Sequence, residues 1–374
     1  MKRGRNHNMR NTAIIVTNPM IAQNESAKVT LSKFIRVISP IHGDLSIIGG
    51  NLRVEEDISN IKLISWAIRR ASNKVRRILD IVALQFKMAI YLITHIKKNQ
   101  IVYFWIADKM ILPYCAAKIK RAEINYFIYG NVAKEGKQTR FTKISSSLIK
   151  YMAKHASYTC MESESVIDEW PSLKVRQKKI IHLYTDNIHI NPFEERKKIF
   201  GMVCRLTEGK HVIESIGAMI RIHNKYPDWK LEIIGSGKQE NLCKQMVNEN
   251  NAEEYIKLWG WIDHDDIIGK SKLWKVFLFP TDTEGMPNSL IEMMGRGIPA
   301  ITSSVGGISD IVENNYNSMF LENTDVESIY EKMIEMIELT DAEYEKISTR
   351  AIDLIDKEYS LKGAMKHVNE ELKK

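Results

Sequence analysis

Two glutamates in the second half of the chain, Glu284 and Glu292, are spaced to hold one extended polar ligand. Glu284 follows a short apolar run at 276–280 that is typical of a buried parallel strand, so it lies on a loop at the strand's carboxyl end. Pro-Asn-Ser at 287–289 is typical of a helix start and Gly-Ile-Pro at 297–299 of a helix stop, which places Glu292 on a helix of about two to three turns. The helix start suits a phosphate, and the two carboxylates can accept hydrogen bonds from separate sets of sugar hydroxyls.

Two cations follow another predicted strand, at 199–204. Arg205 comes directly after it, and Lys210 begins a predicted helix that runs to about residue 227. A fixed arginine and lysine can stabilise the negative charge that develops on a diphosphate leaving group without a metal ion. A surface ion pair is the alternative for Arg205, and a plain strand-helix-strand unit with solvated glutamates is the alternative for the acidic pair.

Glycine turns follow two more predicted strands. Gly235 and Gly237 end the run at 230–235, and Gly306 with Gly307 opens a short helix after the strand at 299–302, where the backbone can approach an anion closely. Repeated strand-helix units predict a doubly wound parallel sheet with ligands along its carboxyl edge. Each glycine pair could equally be an ordinary turn.

Two tryptophans, Trp259 and Trp261, flank Gly260 at the end of the next predicted strand, at 255–260. A nucleobase would need a flat apolar wall near this position, and Trp261 is the candidate for it. The alternative is that both tryptophans belong to the hydrophobic core.

Taken in order, these motifs resemble those of the retaining family-4 glycosyltransferases of the GT-B fold, over roughly residues 195–360. The resemblance implies an α/β protein of two Rossmann-like, doubly wound parallel-sheet domains facing across a cleft. It also implies metal-independent transfer with retention at the anomeric carbon, with no cofactor besides the nucleotide diphosphate sugar that serves as donor substrate. The implied catalytic residues are Glu284, Arg205 and Lys210. The implied donor-binding residues are Gly285, Met286, Pro287, Asn288, Ser289 and Glu292. The strand-end candidates Gly235, Gly237 and Trp261 complete the predicted donor site.

The first half of the chain is expected to form the acceptor-binding domain. Its predicted strands lie at 13–18, 45–49, 101–106, 124–129, 158–161 and 180–184, with helical stretches between the earlier ones. We expect domains at 1–188 and 189–356, and a last helix at 357–374 that returns to the first domain. This half departs from the family's pattern where the acceptor is expected, because Asn18 stands where many members have a glycine pair, and Tyr129 and Asn131 stand around the position of a frequent histidine.

Positive charge is concentrated in the first half of the chain. Residues 1–185 hold 31 Lys and Arg against 13 Asp and Glu, a net of +18, whereas the remainder holds 23 against 33, a net of −10, which gives the total of +8. The segment 61–100 has nine basic residues and a single acidic one, Asp80. This pattern is typical either of an amphipathic helix on an anionic membrane surface or of a solvated basic face over an ordinary core face; nucleic acid is a third option without a supporting module. The candidate membrane contacts are Trp66, Arg69, Arg70, Lys74, Arg76 and Arg77.

Composition favours an enzyme of the reducing cytoplasm, positioned at the inner face of the cell membrane if the basic segment binds lipid. Cys115, Cys160, Cys204 and Cys243 are scattered, which predicts neither disulfides nor structural zinc. The basic first ten residues lead into a strand, so no signal peptide is expected. The most apolar windows, 81–96 and 101–117, are both too short and too interrupted for the roughly 20 residues of a membrane span.

These observations lead to one principal hypothesis and two alternatives. The principal hypothesis is transfer of a hexosyl group from a nucleotide diphosphate sugar to a glycan or lipid-linked acceptor in cell-surface polysaccharide or glycolipid synthesis. A nucleotide-sugar epimerase or a phosphorylase shares the expected fold. The other alternative is a catalytically idle scaffold subunit recruited to a membrane.

Overall fold

The computed structural model describes residues 12–20, 25–58, 61–68, 73–129, 140–170, 173–186 and 188–373. The chain divides into two compact units. Unit 1 comprises Met1–Leu183 and Ala364–Lys374, and unit 2 comprises Tyr184–Gly363. The division between them comes five residues before the predicted boundary at 188/189, and residues 357–363 of the predicted last segment belong to unit 2.

Unit 1 contains a parallel sheet with helices on its faces. Its described strands are β1 (Thr12–Val16), β2 (Asp44–Gly50), β3 (Ile61–Trp66), β4 (Ile101–Phe104), β5 (Glu123–Phe127), β6 (Tyr158–Met161) and β7 (Lys178–Ile180), and its helices are α1 (Glu25–Ile38), α2 (Lys74–His95), α3 (Ile111–Ile119) and α4 (Arg140–His155). The strand order is β3-β2-β1-β4-β5-β6-β7, so the direction of winding reverses between β1 and β4.

Unit 2 repeats this plan. Its described strands are β8 (Ile199–Val203), β9 (Lys230–Ile234), β10 (Ile256–Gly260), β11 (Val276–Phe279), β12 (Ala300–Thr302) and β13 (Met319–Phe320). Its helices are α5 (Val212–Lys225), α6 (Glu240–Glu249), α7 (His264–Ser271), α8 (Asn288–Gly295), α9 (Val326–Ile337) and α10 (Asp341–Leu354). The order β10-β9-β8-β11-β12-β13 is parallel throughout and reverses between β8 and β11.

Burial on both faces explains why the central strands are continuous apolar runs. All four residues of β4, Ile-Val-Tyr-Phe, and all four of β11, Val-Phe-Leu-Phe, are buried. Helices pack on each side of such strands, so no position can be left polar toward solvent. In unit 2 the two helical layers bury separate groups of side chains, one around Leu231 and Leu278 and the other around Phe277 and Ile291.

The prediction of a single amphipathic helix over 61–100 was wrong. Ile61–Trp66 is instead an edge strand that pairs in parallel with β2, and only Lys74–His95 is helical. The basic and apolar residues there are compatible with either period over so short a stretch, and pairing with β2 decides between them. The predicted strand at 180–184 is also displaced, because β7 ends at Ile180.

One helix in the described part of the chain is long and apolar enough to cross a membrane by length and composition. It is the Val75–His95 portion of α2, with 28% of its most apolar window buried. The sequence windows had suggested no such segment, because α2 begins before the window at 81–96.

A last helix, α11 (Leu361–Lys373), carries the chain from unit 2 back into unit 1. The Glu371 carboxylate accepts a hydrogen bond from the Ile180 N–H at 3.1 Å, and His367 Nε2 lies 3.1 Å from the Ile180 carbonyl oxygen. The His367 ring stacks on His182 at 4.6 Å. These contacts attach α11 to the end of β7.

Candidate functional site

The reversal of strand order in unit 2 defines where a ligand is expected. In open parallel sheets, ligands bind outside the carboxyl ends of the strands at the point where the winding reverses. In unit 2 that point lies between β8 and β11. The loop after β8, 204–211, and the loop after β11, 280–287, therefore border the expected site.

An ion pair joins these two loops. The Lys210 ammonium donates to Glu284 Oε1 and, at 2.9 Å, to the hydroxyl of Thr281. Both side chains of the ion pair are largely buried, at 13% exposed for Lys210 and 21% for Glu284. The structure thus brings together two residues that the sequence placed 74 positions apart.

A second pair crosses between the same loops. His211 Nε2 lies 2.6 Å from Asp282 Oδ1, and the Asp282 N–H donates to the Gly209 carbonyl at 3.1 Å. His211 adopts a left-handed backbone conformation, with φ of 46°, immediately before α5. Sequence analysis missed Thr281, Asp282 and His211, although polar residues at the ends of two strands beside the reversal were a usable signal.

Two glycines hold the loop that carries Arg205. A Cβ on Gly235 would lie 1.9 Å from the Cys204 carbonyl oxygen, and a Cβ on Gly237 would lie 2.3 Å from that of Leu206. The Leu206 N–H also donates to the Ser236 carbonyl at 3.1 Å. These glycines therefore set the path of the backbone around Arg205, whose side chain is exposed.

The Gly306-Gly307 pair performs the same task for Glu284. Gly306 has φ of +50°, and a Cβ there would lie 1.8 Å from the Glu284 carbonyl oxygen. The Gly307 N–H donates to the carbonyls of Glu284 at 3.2 Å and Gly285 at 3.0 Å. The sequence predicted that the backbone at Gly306 and Gly307 approaches a ligand anion. In the structure this backbone approaches the loop that carries Glu284.

Helix α8 presents the start predicted from the sequence. It begins at Asn288, its N-cap is Pro287, and no side chain caps it by a hydrogen bond. Met286 and Pro287 are buried, whereas Asn288 is exposed and Ser289 is half-buried. Backbone N–H groups of its first turn are thus not satisfied by a side-chain cap, which suits a phosphate.

Glu292 lies further along α8 and has a partner that the sequence did not suggest. Its Oε2 is 3.1 Å from His264 Nε2, at the start of α7, and its side chain is 15% exposed. Two elements therefore fix the carboxylate while leaving its other oxygen to accept a hydroxyl.

The tryptophans are not core residues. Trp259 is 36% exposed, and Trp261, just beyond the carboxyl end of β10, is 71% exposed. The Lys270 ammonium lies 3.2 Å from the centre of the Trp259 ring, which occupies that ring face. Trp261 is the one of the two whose ring is mainly open to solvent.

Cys204 lies beside this site but is not activated. Burial raises the pKa of its thiol to about 12, and the nearby Lys210 ammonium only partly opposes this effect. The thiol is therefore protonated at neutral pH and is not a nucleophile. Among the residues that the structure describes, no group of three or more His, Cys, Asp or Glu side chains could hold a metal ion.

Unit 1 has its own polar cluster at the reversal between β1 and β4. Asn18, after β1, donates through Nδ2 to Asp108 Oδ1 at 2.5 Å, after β4. The Asn18 Oδ1 and Trp105 Nε1 atoms are buried there without a hydrogen-bond partner among the described residues. The sequence indicated Asn18 but missed Asp108.

Two further strands contribute to this edge of unit 1. Tyr129 follows β5, and its carbonyl oxygen accepts a hydrogen bond from the Trp170 Nε1–H at 2.9 Å. Glu162 follows β6, and burial raises the pKa of its carboxyl to about 7. Asn131, the third residue of the predicted acceptor group, lies outside the described residues.

The predicted membrane contacts are divided between two elements. Trp66 is the last residue of β3, half-buried, with its ring edge against Tyr91 at 6.3 Å. Arg76 and Arg77 lie exposed in the first turn of α2. Arg69 and Arg70 lie outside the described residues, as does the side chain of Lys74.

Comparison with known proteins identifies the fold and shows a partial match to a family profile. Two parallel-sheet units of this kind define the GT-B fold. The crystal structure of HepE from Anabaena in complex with UDP matches with a TM-score of 0.75 over 96% of this chain and 99% of that one, at 15% identity. The lipopolysaccharide outer core galactosyltransferase WaaB matches with a TM-score of 0.69 over 96% and 98%, at 17% identity. Residues 184–353 match the profile described as Glycosyl transferases group 1.

Sequence relatives match part of this chain over part of their own length. The GtfA subunit of a UDP-N-acetylglucosamine--peptide N-acetylglucosaminyltransferase from Streptococcus pneumoniae is 25% identical over 170 residues, which is 44% of this chain and 33% of the relative. A UDP-Gal:alpha-D-GlcNAc-diphosphoundecaprenol alpha-1,3-galactosyltransferase from Escherichia coli is 30% identical over 139 residues, 36% of this chain and 35% of the relative. The chain thus matches about a third of the length of each.

Proposed function

We propose that this chain is a retaining hexosyltransferase that moves a sugar from a nucleotide diphosphate donor to a glycan or lipid-linked acceptor. The observation that carries the proposal is the Lys210–Glu284 ion pair across the strand reversal of unit 2. It sets a fixed cation and a fixed carboxylate beside the uncapped start of α8, where a diphosphate and a sugar would both find partners.

Each part of the donor has a matching group in unit 2. Arg205 and Lys210 neutralise the diphosphate, Glu284 with the 285–289 backbone contacts the sugar and phosphates, and Glu292 accepts hydrogen bonds from the ribose hydroxyls. Trp261 forms a face for the base. Stabilising charge on the departing diphosphate lowers the barrier because the cations and helix start are already in position.

Retention follows if the acceptor hydroxyl attacks the anomeric carbon from the side that the diphosphate leaves. The departing phosphate oxygen then takes the hydroxyl proton, while Arg205 and Lys210 supply the electrostatic stabilisation for which other enzymes use a divalent cation. A product of inverted configuration, or activity lost in chelator and restored by Mg²⁺, would contradict this mechanism.

A UDP-sugar is the donor class we propose. The Anabaena HepE structures contain UDP or UDP-glucose, and the pneumococcal GtfA structure contains UDP and GlcNAc. Those ligands belong to the neighbours, and they support UDP as the first nucleotide to test here.

The acceptor is assigned to the carboxyl edge of the unit 1 sheet. Asn18 and Asp108 lie there with an unsatisfied amide oxygen, beside Tyr129 and Glu162. Unsatisfied buried polar atoms are costly, so a ligand that supplies hydroxyl donors would bind favourably. The Escherichia coli relative is named for transfer to a GlcNAc-diphosphoundecaprenol, which supports a sugar-bearing, lipid-linked acceptor, whereas the GtfA subunit is named for transfer to a peptide.

The deciding experiment is donor binding by calorimetry, using UDP-, GDP- and ADP-sugars with chelator present. We expect one nucleotide series to bind, and Arg205→Gln and Glu292→Gln each to weaken it by about 10-fold to 100-fold, as the loss of a charge-assisted hydrogen bond would. Lys272→Gln, an exposed lysine directly after α7, is the control and should bind normally. If no donor binds, or if the control weakens binding as much as the two site variants, the assignment is wrong.

A further inference from the structure

Helix α2 exposes an apolar stripe along its whole length. The outward side chains, with their exposed fractions, are Val75 (64%), Ile78 (60%), Leu79 (62%), Val82 (37%), Phe86 (55%), Ile90 (61%) and Ile93 (44%). Counted from Val75, the other six lie 3, 4, 7, 11, 15 and 18 residues along the chain, which places all seven on one side of the helix. Scattered exposed apolar side chains are normal on a soluble protein, but a continuous row of seven marks a surface that contacts a partner or a membrane.

The stripe is separate from the face that α2 contributes to the core. Leu84, Met88 and Leu92 are 2%, 0% and 0% exposed and pack with side chains of the sheet. Because one side of α2 is committed to this core, the helix cannot be surrounded by lipid without unfolding unit 1. Its outer side is free to lie on an apolar surface.

Charge indicates which surface that is. Helices α3 and α4 share the core group with α2, through Tyr114 and Met152, and so cover the same side of the sheet. Across the three helices the sequence has nine Lys and Arg residues and one acidic residue, Asp80. More exposed apolar side chains lie on α3 and α4: Ile119 (72%), Ile144 (61%) and Tyr151 (52%).

A recess beside the stripe matches this charge. A cavity of about 230 Å³ lies between the end of β3 and α2, and its lining includes Trp66, Arg76, Asp80 and Lys87. The two cations outnumber the single Asp80 carboxylate, and together with the indole at the edge of an apolar face they can bind a phosphate headgroup at a lipid boundary.

We propose that α2 lies flat on an anionic phospholipid bilayer, with the stripe in the boundary between headgroups and acyl chains and with Arg76 and Lys87 against headgroup phosphates. Apolar burial and cation attraction then act on the same helix. Docking of a second copy on this face would oppose two strongly basic helical layers, which like-charge repulsion disfavours. The proposal rests on unit 1 alone and does not depend on the proposed transfer reaction.

The test is sedimentation of the full chain with vesicles of phosphatidylcholine containing about 30% phosphatidylglycerol, compared with phosphatidylcholine alone. Leu79→Ser with Phe86→Ser removes two exposed side chains from the stripe. Ile190→Ser with Leu242→Ser is the matched control, since these residues of unit 2 are 61% and 49% exposed. We expect wild type and control to bind the anionic vesicles, and the stripe variant to bind at least about 10-fold more weakly, because it loses apolar burial.

Three further readouts decide the proposal. Raising NaCl to about 0.5 M should release the wild type, because charge attraction is screened. The stripe variant should keep the wild-type circular dichroism spectrum and donor affinity, which separates a failure of docking from a failure of the donor site. Equal binding to both vesicle types, equal binding by wild type and stripe variant, or a wild-type dimer in buffer that the stripe variant abolishes would each overturn the proposal.

Discussion

Lys210 and Glu284 each depend on the other for charge compensation. A largely buried ion pair costs little while it is intact, whereas removal of one partner leaves a charge without compensation. Substitutions at Lys210 therefore mix a folding defect with a binding defect. Arg205 is exposed on the same loop, so its removal reports on the ligand and not on the fold.

Glu162 gives a prediction that depends on pH. Its folded-state pKa of about 7 lies above the ordinary value of 4.5, so the folded protein binds a proton more tightly than the unfolded chain. Its contribution to stability is fully present below pH 4.5 and is lost as pH rises through 7, by at most about 3 kcal/mol. Between these pH values the unfolding free energy of wild type should fall relative to Glu162→Gln.

Urea unfolding of the two proteins at matched pH values measures this difference, since all other titrating groups cancel. Glu164→Gln is the control, because this exposed neighbour is ion-paired with Lys178 at the surface. A constant difference between wild type and Glu162→Gln from pH 5 to pH 8 would show that the Glu162 carboxyl titrates normally.

At the scale of elements, the site is built by loops that touch at glycines. Gly306 has φ of +50°, and a Cβ added there would lie 1.8 Å from the Glu284 carbonyl oxygen. Gly306→Ala should therefore displace the loop of Glu284, with a loss of about 2 kcal/mol or more in stability and of at least about 10-fold in donor affinity. Thermal unfolding and calorimetry measure the two effects.

Gly269→Ala is the matched control for that substitution. It lies in α7, and a Cβ there would meet nothing within 4 Å. Alanine in a helix is more favourable than glycine, so this variant should be unchanged or slightly stabilised. Normal donor binding by Gly306→Ala would mean that the Glu284 loop is not part of the donor site.

Most strands of the unit 2 sheet could be predicted from the sequence, because their local residue pattern matches their burial in the sheet. Strands β8, β11 and β12 are apolar runs, and β9 mixes apolar with charged residues before its glycine turn; each prediction was right to within about two residues. It also placed Lys210 and Glu284 after strands of one parallel sheet, and the structure pairs these two side chains.

Other partners depend on contacts that no local pattern encodes. His264 reaches Glu292 from the start of another helix, and Asp108 reaches Asn18 across 90 positions. A core position was an alternative for Trp259 and Trp261 because tryptophan is usually well buried, but the carboxyl end of β10 is exposed. β3 was missed because only its pairing with β2 distinguishes it from the start of the basic helix.

At the scale of the whole molecule, the two halves of the chain carry net charges of opposite sign. Residues 1–185 have a net charge of +18 and the remainder has −10, so a single pI of about 9.0 describes neither. The apolar stripe and the basic layer both belong to unit 1, and the cations of the proposed donor site belong to unit 2. Ionic strength should therefore affect vesicle docking more than it affects the largely buried Lys210–Glu284 pair.

The return of the chain into unit 1 makes the last helix a test of how independent the units are. Val368 on α11 is 0% exposed, and α11 is held to Ile180 through Glu371 and His367.

Val368→Asp buries a charge without a partner, which should destabilise unit 1 by about 3 kcal/mol or more. Donor affinity at low temperature should stay normal, because the proposed donor-binding groups and their contacts lie within unit 2. Vesicle docking should fail at the temperature where unit 1 melts, whereas Glu370→Ala, at an exposed neighbouring position, should leave both properties unchanged. Calorimetric melting followed by both binding assays measures this; equal loss of donor binding and docking would mean that the two units fold as one.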